Sequence, residues 1–119
     1  MAKNFEELII WQDARKLANL IHYTFMDLSD YAFKVQIYRA SVSVMNNIAE
    51  GFERYSKGDF KRFLQFSKGS CSEVRSMTYL AIDFKYIDEI RANEIMQLAT
   101  KTKAGIASFI TSLQPSKSK

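Results

Sequence analysis

The stretch QIYRASVSVMNNIAEGFERYSKGDFKRF, from Gln36 to Phe63, limits what this chain can fold into more than any other, because two helical patterns meet in it across a short polar hinge. At helical spacing Ile37, Ser41, Val44, Ile48 and Gly51 line one stripe, and Tyr38, Val42, Met45, Ala49 and Phe52 line the next. A third stripe of Gln36, Ala40, Ser43, Asn47, Glu50 and Arg54 is small or polar. Roughly half the circumference is therefore apolar, which is wider than one core-facing stripe. A broad core face in a monomer would accommodate this, and so would burial on one side by the bundle and on another by a neighbouring subunit. The second arrangement is the one expected here, and it makes Tyr38, Val42, Met45 and Phe52 the oligomer interface.

The flanking sequence extends the pattern to four helices. Trp11, Ala14, Ala18, Ile21, Phe25 and Leu28 keep a 3-4 alternation before the turn DLSD, where Ser29 or Asp30 can cap the next helix. After the hinge ERYSKGD, in which Ser56 or Asp59 can cap, Phe60, Phe63, Ser67, Ser70, Val74, Met77, Ala81 and Phe84 repeat at the same spacing. Serines in the middle of that seam let a facing helix approach closely and leave hydroxyls to be bonded. Asp88 then caps a last helix with Ile95, Leu98, Thr102, Ile106, Phe109 and Leu113 in its stripe, and Pro115 stops it. Helices over about 5–28, 31–53, 59–84 and 89–113, followed by a frayed tail at 115–119, predict an all-α antiparallel up-down-up-down four-helix bundle in one domain.

Composition narrows the class. The 119 residues are 47% hydrophobic and 25% charged, enough to bury a core without metal or disulfide staples. No apolar run approaches the roughly 18 residues of a membrane span, and the N-terminus lacks signal-peptide features, so a cytoplasmic protein with no membrane partner is expected. The lone Cys71 has no internal disulfide partner and no evident activating base. His22 has no carboxylate within a turn, so neither a metal site nor a cofactor is expected. Glu50, Glu53, Asp59 and Glu73 gather near the hinge, but Arg54, Lys57, Lys61 and Arg62 are interleaved with them, which favours ion pairs over acid/base catalysis. Without a phosphate loop or nucleophile elbow, the pattern does not suggest an enzyme.

The positive signal is cationic. Lys61, Lys68 and Arg75 recur every seven residues along one edge of the third helix, with Arg54, Lys57 and Arg62 gathered at its start. Such a series can track a phosphate backbone, and Phe52, Tyr55 and Phe66 lie among the cations as candidate stacking rings. The net charge of +4 permits nucleic-acid contact without demanding it. Lys101, Lys103, Lys117 and Lys119, with no acidic residue after Glu94, form a second basic region. RNA or structured nucleic acid is the expected partner, and a protein partner on an oligomeric scaffold is the alternative.

The series IIWQDARKL, QIYRASVSVMNNIAEGFERYS and FKRFLQFSKGSCSEV resembles the bacterial four-helix-bundle family encoded within intervening sequences of large-subunit ribosomal RNA genes. The resemblance spans nearly the whole chain and rests on Trp11 and Gln12, on Gln36, Arg39, Ser43, Asn47, Glu50, Gly51 and Arg54, and on Phe60, Arg62, Phe63, Leu64, Gly69, Ser70 and Glu73. It implies a ring-like homopentamer of up-down protomers. It also implies a fold similar to the accessory protein of diversity-generating retroelements, which associates with reverse transcriptase. Ser41, Met45 and Cys71 depart from the family pattern at positions expected to affect packing more than binding.

Overall fold

Four helices carry the computed structural model, which describes residues 2–113: α1 Ile9–Phe25, α2 Tyr31–Phe52, α3 Lys57–Asp83 and α4 Glu89–Ser112. Each packs on the next and α1 closes against α4, giving an all-α bundle of 54 × 23 × 20 Å with no strand among the described residues. The expected tail at 115–119 lies outside the described residues.

Capping sets the boundaries. Asp30 accepts from the Phe33 N–H at the start of α2, Ser56 from the Asp59 N–H at the start of α3, and Asp88 from the Arg91 N–H at the start of α4. Because Ser56 is the cap and not Asp59, α3 begins two residues before the expected position, and Gly58 lies within its first turn. Asp59 then occupies that first turn, where the exposed N–H groups favour negative charge.

The first helix is shorter than its periodicity suggests. A 3-10 turn over Phe5–Glu7 and an extended Leu8 precede it, which places Phe5 against Trp11 at 5.2 Å and Leu8 in the core. Gln12 fastens this turn by donating from Nε2 to the Glu6 carbonyl. At the other end α1 stops at Phe25, and the Lys34 ammonium donates to the Met26 carbonyl, a cation placed at the negative end of the helix.

The first stripe of α2 is the core stripe: Ile37, Ser41, Val44, Ile48 and Gly51 are all buried. In α3 the buried residues are Leu64, Ser67, Cys71, Val74, Met77, Thr78 and Ala81, so the core face is rotated from the expected seam. The reason is that α3 lies between α2 and α4 and buries the strip between them. Phe60, Phe63 and Ser70 are left half-buried at its flank. Phe84 is exposed because α3 ends at Asp83 and the chain turns away. That turn closes with the Tyr86 N–H on the Ala81 carbonyl and the Lys85 N–H on the Ile82 carbonyl, with Lys85 in the left-handed region at φ 60°.

Four buried hydroxyls are satisfied by carbonyls. Ser41, Thr78 and Thr102 donate to carbonyls of their own helices, whereas Ser67 donates across to the Val44 carbonyl of α2 at 2.7 Å. The small Ser67 side chain thus allows close approach of α2 and α3 and also bonds them together.

Candidate nucleic-acid interface

The expected basic residues occupy two settings. At the hinge, Arg54 pairs with Glu50 at 2.8 Å and lies over the Phe63 ring at 4.5 Å. Arg62 pairs with Asp59 at 3.4 Å and lies over the same ring at 5.2 Å and over Phe66 at 6.0 Å. Phe63 is therefore a platform that positions two guanidiniums and not the core residue its spacing suggests. The two exposed ion pairs hold the arginines loosely, because pairs of this kind contribute little stability in water. Tyr55 and Phe66 are the exposed rings beside them, whereas Phe52 packs edge-on to Phe60 at 6.0 Å and Phe60 continues to Phe109 at 5.5 Å. Of the three rings proposed for stacking, Phe52 is thus committed to its own bundle.

Along α3, Lys61, Lys68 and Arg75 follow one edge, drifting only slightly from heptad to heptad. Arg75 joins Met96, Gln97, Thr100 and Lys101 in lining a groove between α3 and α4. Lys103 of α4 lies close enough for its charge, with that of Arg75, to act on the buried Cys71 thiol. Folding therefore brings Lys101 and Lys103 of the second basic region close to Arg75 at the α3–α4 border, while Lys117 and Lys119 lie outside the described residues. Lys101 is partly engaged by the buried Asp13 at 3.6 Å. Among the described residues Lys57 and Lys68 make no ion pair.

Glu73, read from sequence as a neighbour of these cations, instead faces a groove toward α2 with Gln36, Arg39 and Ser43. Asn47 donates to both the carbonyl and the hydroxyl of Ser43, and Ser70 donates to the same hydroxyl at 2.9 Å. Most of the polar positions that carry the family resemblance thus form one strip where α2 meets α3. Sequence reasoning saw the α2 half as a polar stripe but did not see that Glu73 joins it. The antiparallel pairing of α2 and α3 was the available signal.

The remaining candidates are placed as follows. Trp11 is half-buried against Phe5, and Gln12 holds the 3-10 turn. Tyr38, Val42 and Met45 line an open groove with α1, so the second apolar seam is partly covered within the protomer, with Tyr38 its exposed member at 43%. Gly51 is an intramolecular contact: a Cβ there would lie 2.8 Å from the Phe63 Cβ and 2.9 Å from the Phe60 Cδ1. Gly69 is open, with nothing within 4 Å of the equivalent position.

Chemically this surface offers cations and exposed rings. Burial pushes the Cys71 thiol up to about 12 despite Lys103 and Arg75, leaving it protonated and unreactive near neutral pH. Among the described residues no group of three His, Cys, Asp or Glu side chains is placed to hold a metal ion, and no helix is long and apolar enough to cross a membrane.

The fold and the site thus define an all-α four-helix bundle with a cationic border between its last two helices. The chain belongs to the 23S rRNA-intervening sequence protein family, whose model matches residues 6–108. It is similar in fold to a protein of unknown function of the S23 ribosomal protein family from Bacteroides thetaiotaomicron, with a TM-score of 0.79 and 22% identity, over 86% of this chain and 98% of that one. No curated protein matches the chain.

Proposed function

We propose that this protein is a non-enzymatic, homo-oligomeric bundle that binds RNA or structured nucleic acid through Arg54, Lys57, Lys61, Arg62, Lys68 and Arg75. The observation that carries the reading is the segregation of charge on α3. Arg75 faces α4, with Lys61 and Lys68 along the same edge, while Glu73 is turned to the α2 groove. A phosphate chain following that edge meets Lys103 and no carboxylate from α4 after Glu94. The exposed rings of Tyr55 and Phe66 supply stacking surfaces at its hinge end. Self-association, with the homopentamer implied by the resemblance, would repeat the patch and raise avidity.

The test is binding of nuclease-treated protein to a labelled structured RNA and to duplex DNA over a range of salt concentrations. The expected result is affinity that falls steeply with salt and favours RNA. Absence of binding at low salt would overturn it.

A protein-binding scaffold is the second reading. It is favoured by apolar side chains left exposed where α1 meets α2 and α3 meets α4, at one end of the bundle, among them Tyr31 at 72% and Ile90 at 76%. Recovery of a defined protein partner that survives nuclease treatment would support that reading.

A further inference from the structure

The end of the bundle formed by the α1–α2 and α3–α4 turns exposes Met26, Tyr31, Phe84 and Ile90. Contacts between the turns hold these side chains at one end. Tyr86 donates to Asp30 at 2.6 Å, Arg91 donates to the Thr24 hydroxyl at 2.8 Å, and Lys34 both bonds the Met26 carbonyl and lies over the Tyr31 ring at 5.9 Å. Phe84 is fixed in place although exposed: its ring meets Tyr86 at 5.4 Å, Tyr86 meets Phe33 at 5.2 Å, and Phe33 meets Phe25 of the core at 5.6 Å. A ladder of packed rings thus holds an apolar group out in water, and a fixed apolar patch rimmed by polar groups marks an interaction surface. Met26 also lines a notch of about 230 Å³ between α1 and α2, whose other walls include buried Ile21 and Phe25 and half-buried Val35. Such a recess can receive an apolar side chain of a partner.

The charge at this end selects the partner. Asp27, Asp30, Asp83, Asp88 and Glu89 stand in and beside the two turns, against Lys34, Lys85 and Arg91. Two of those cations are already engaged, Lys34 by the Met26 carbonyl and Arg91 by Glu94 at 2.7 Å. Asp27, Asp83 and Glu89, in contrast, make no ion pair among the described residues. The field at this end is therefore negative in a chain whose net charge is +4. It repels a phosphate backbone and an anionic membrane alike, so this end and the α3 edge suit different partners. A polypeptide segment that carries both cations and apolar side chains complements the patch and its rim together.

We propose that this end of the bundle docks a basic segment of a partner protein, whose apolar side chains cover Met26, Phe84 and Ile90 and whose cations lie beside Asp83 and Glu89. The assignment rests on the protein-scaffold reading above and gives that reading its class of partner. It is independent of the nucleic-acid reading, because none of these residues belongs to the cationic edge of α3.

The test is titration of the full chain, ¹³C-labelled at its Met and Ile methyl groups, with two synthetic helical peptides that share one leucine face and differ in having lysine or glutamate elsewhere. The lysine peptide is expected to shift the Met26 and Ile90 methyl signals, and the glutamate peptide to bind at least about tenfold more weakly. Reversing the rim with Asp83→Lys and Glu89→Lys together should weaken the lysine peptide by about tenfold at low salt, with the difference shrinking as salt rises. Ile90→Ser should weaken it by about tenfold at any salt. If the glutamate peptide shifts the same signals with equal affinity, the basic partner is wrong while the scaffold reading stands. If neither peptide moves them, both are wrong. Movement of these signals on dilution of the protein alone, or on addition of RNA, would overturn the proposal in favour of a second copy or of nucleic acid. Thermal melts show whether the variants are folded, and the methyl signals of the unmodified protein do not depend on any variant.

Discussion

Gly51 and Gly69 illustrate how much a single missing Cβ matters when its surroundings are known. At Gly51 the ends of α2 and α3 are so close that an added methyl would meet the Phe63 Cβ at 2.8 Å and the Phe60 carbonyl at 3.3 Å. Gly51→Ala should therefore force the helices apart and cost about 1–3 kcal/mol in a denaturant or thermal melt. At Gly69, with nothing within 4 Å, Gly69→Ala should stabilise by about 1 kcal/mol through helix propensity alone. Equal effects at the two sites would contradict this packing. Both glycines belong to the sequence pattern, yet spacing alone does not distinguish them. Gly51 fell in the core stripe of α2, so its burial was legible. That its neighbour is Phe63 of the same protomer depends on how the two helices cross.

At the scale of elements, the Asp30 side chain joins two distant turns. It accepts the Phe33 N–H at the start of α2 and the Tyr86 hydroxyl from the α3–α4 turn at 2.6 Å. The Tyr86 bond, followed by that from Phe33, holds the Asp30 carboxyl below its ordinary value of 3.8, and the same carboxylate holds the Tyr86 phenol above its ordinary 10.0. The lowered carboxyl contributes stability that is present above 3.8 and lost as pH falls through its folded value. The raised phenol contributes stability that is present below 10.0 and lost as pH rises through its folded value. Tyr86→Phe should therefore lower the melting temperature across the range between these limits, with the difference from the unmodified protein shrinking at either extreme. A difference independent of pH would mean that the bond does not link the two turns.

The caps show what was readable at this scale. Asp30, Ser56 and Asp88 stand in polar turns before apolar repeats, and each accepts a hydrogen bond from the third residue of its helix. The core face of α3 was less accessible. Phe63 and Leu64 are adjacent and both apolar, and only packing between α2 and α4 buries Leu64 completely while leaving Phe63 beneath two arginines. The break before α1 was likewise hidden, because Phe5 and Leu8 continue an apolar pattern that the backbone interrupts with a 3-10 turn.

At the scale of the whole molecule, bundle topology turns separate sequence features into surfaces. It unites the α3 cations with Lys103 of α4, and it gathers Gln36, Arg39, Ser43 and Glu73 beside α2. The proposed assembly belongs here too. Phe52 is held by Phe60 at 6.0 Å, so its substitution would disturb the protomer as well as any interface. Tyr38 also has a ring neighbour within the protomer, His22 at 5.7 Å, but is exposed at 43% where Phe52 is half-buried, and is the cleaner probe. If the proposed oligomer forms through this seam, Tyr38→Glu should lower the mass measured by light scattering while leaving the melting temperature of the protomer nearly unchanged. An oligomer of unaltered mass would place the interface elsewhere.

The charge segregated along α3 is proposed to bind RNA. The most direct test is the salt dependence of RNA binding by the Lys61→Glu, Lys68→Glu, Arg75→Glu triple variant, measured beside the unmodified protein with both shown to be folded by circular dichroism. The variant is expected to lose nearly all affinity at low salt, and its residual binding to have a slope shallower by about 2, from three phosphate contacts at about 0.7 each. An affinity and a slope equal to those of the unmodified protein would contradict it.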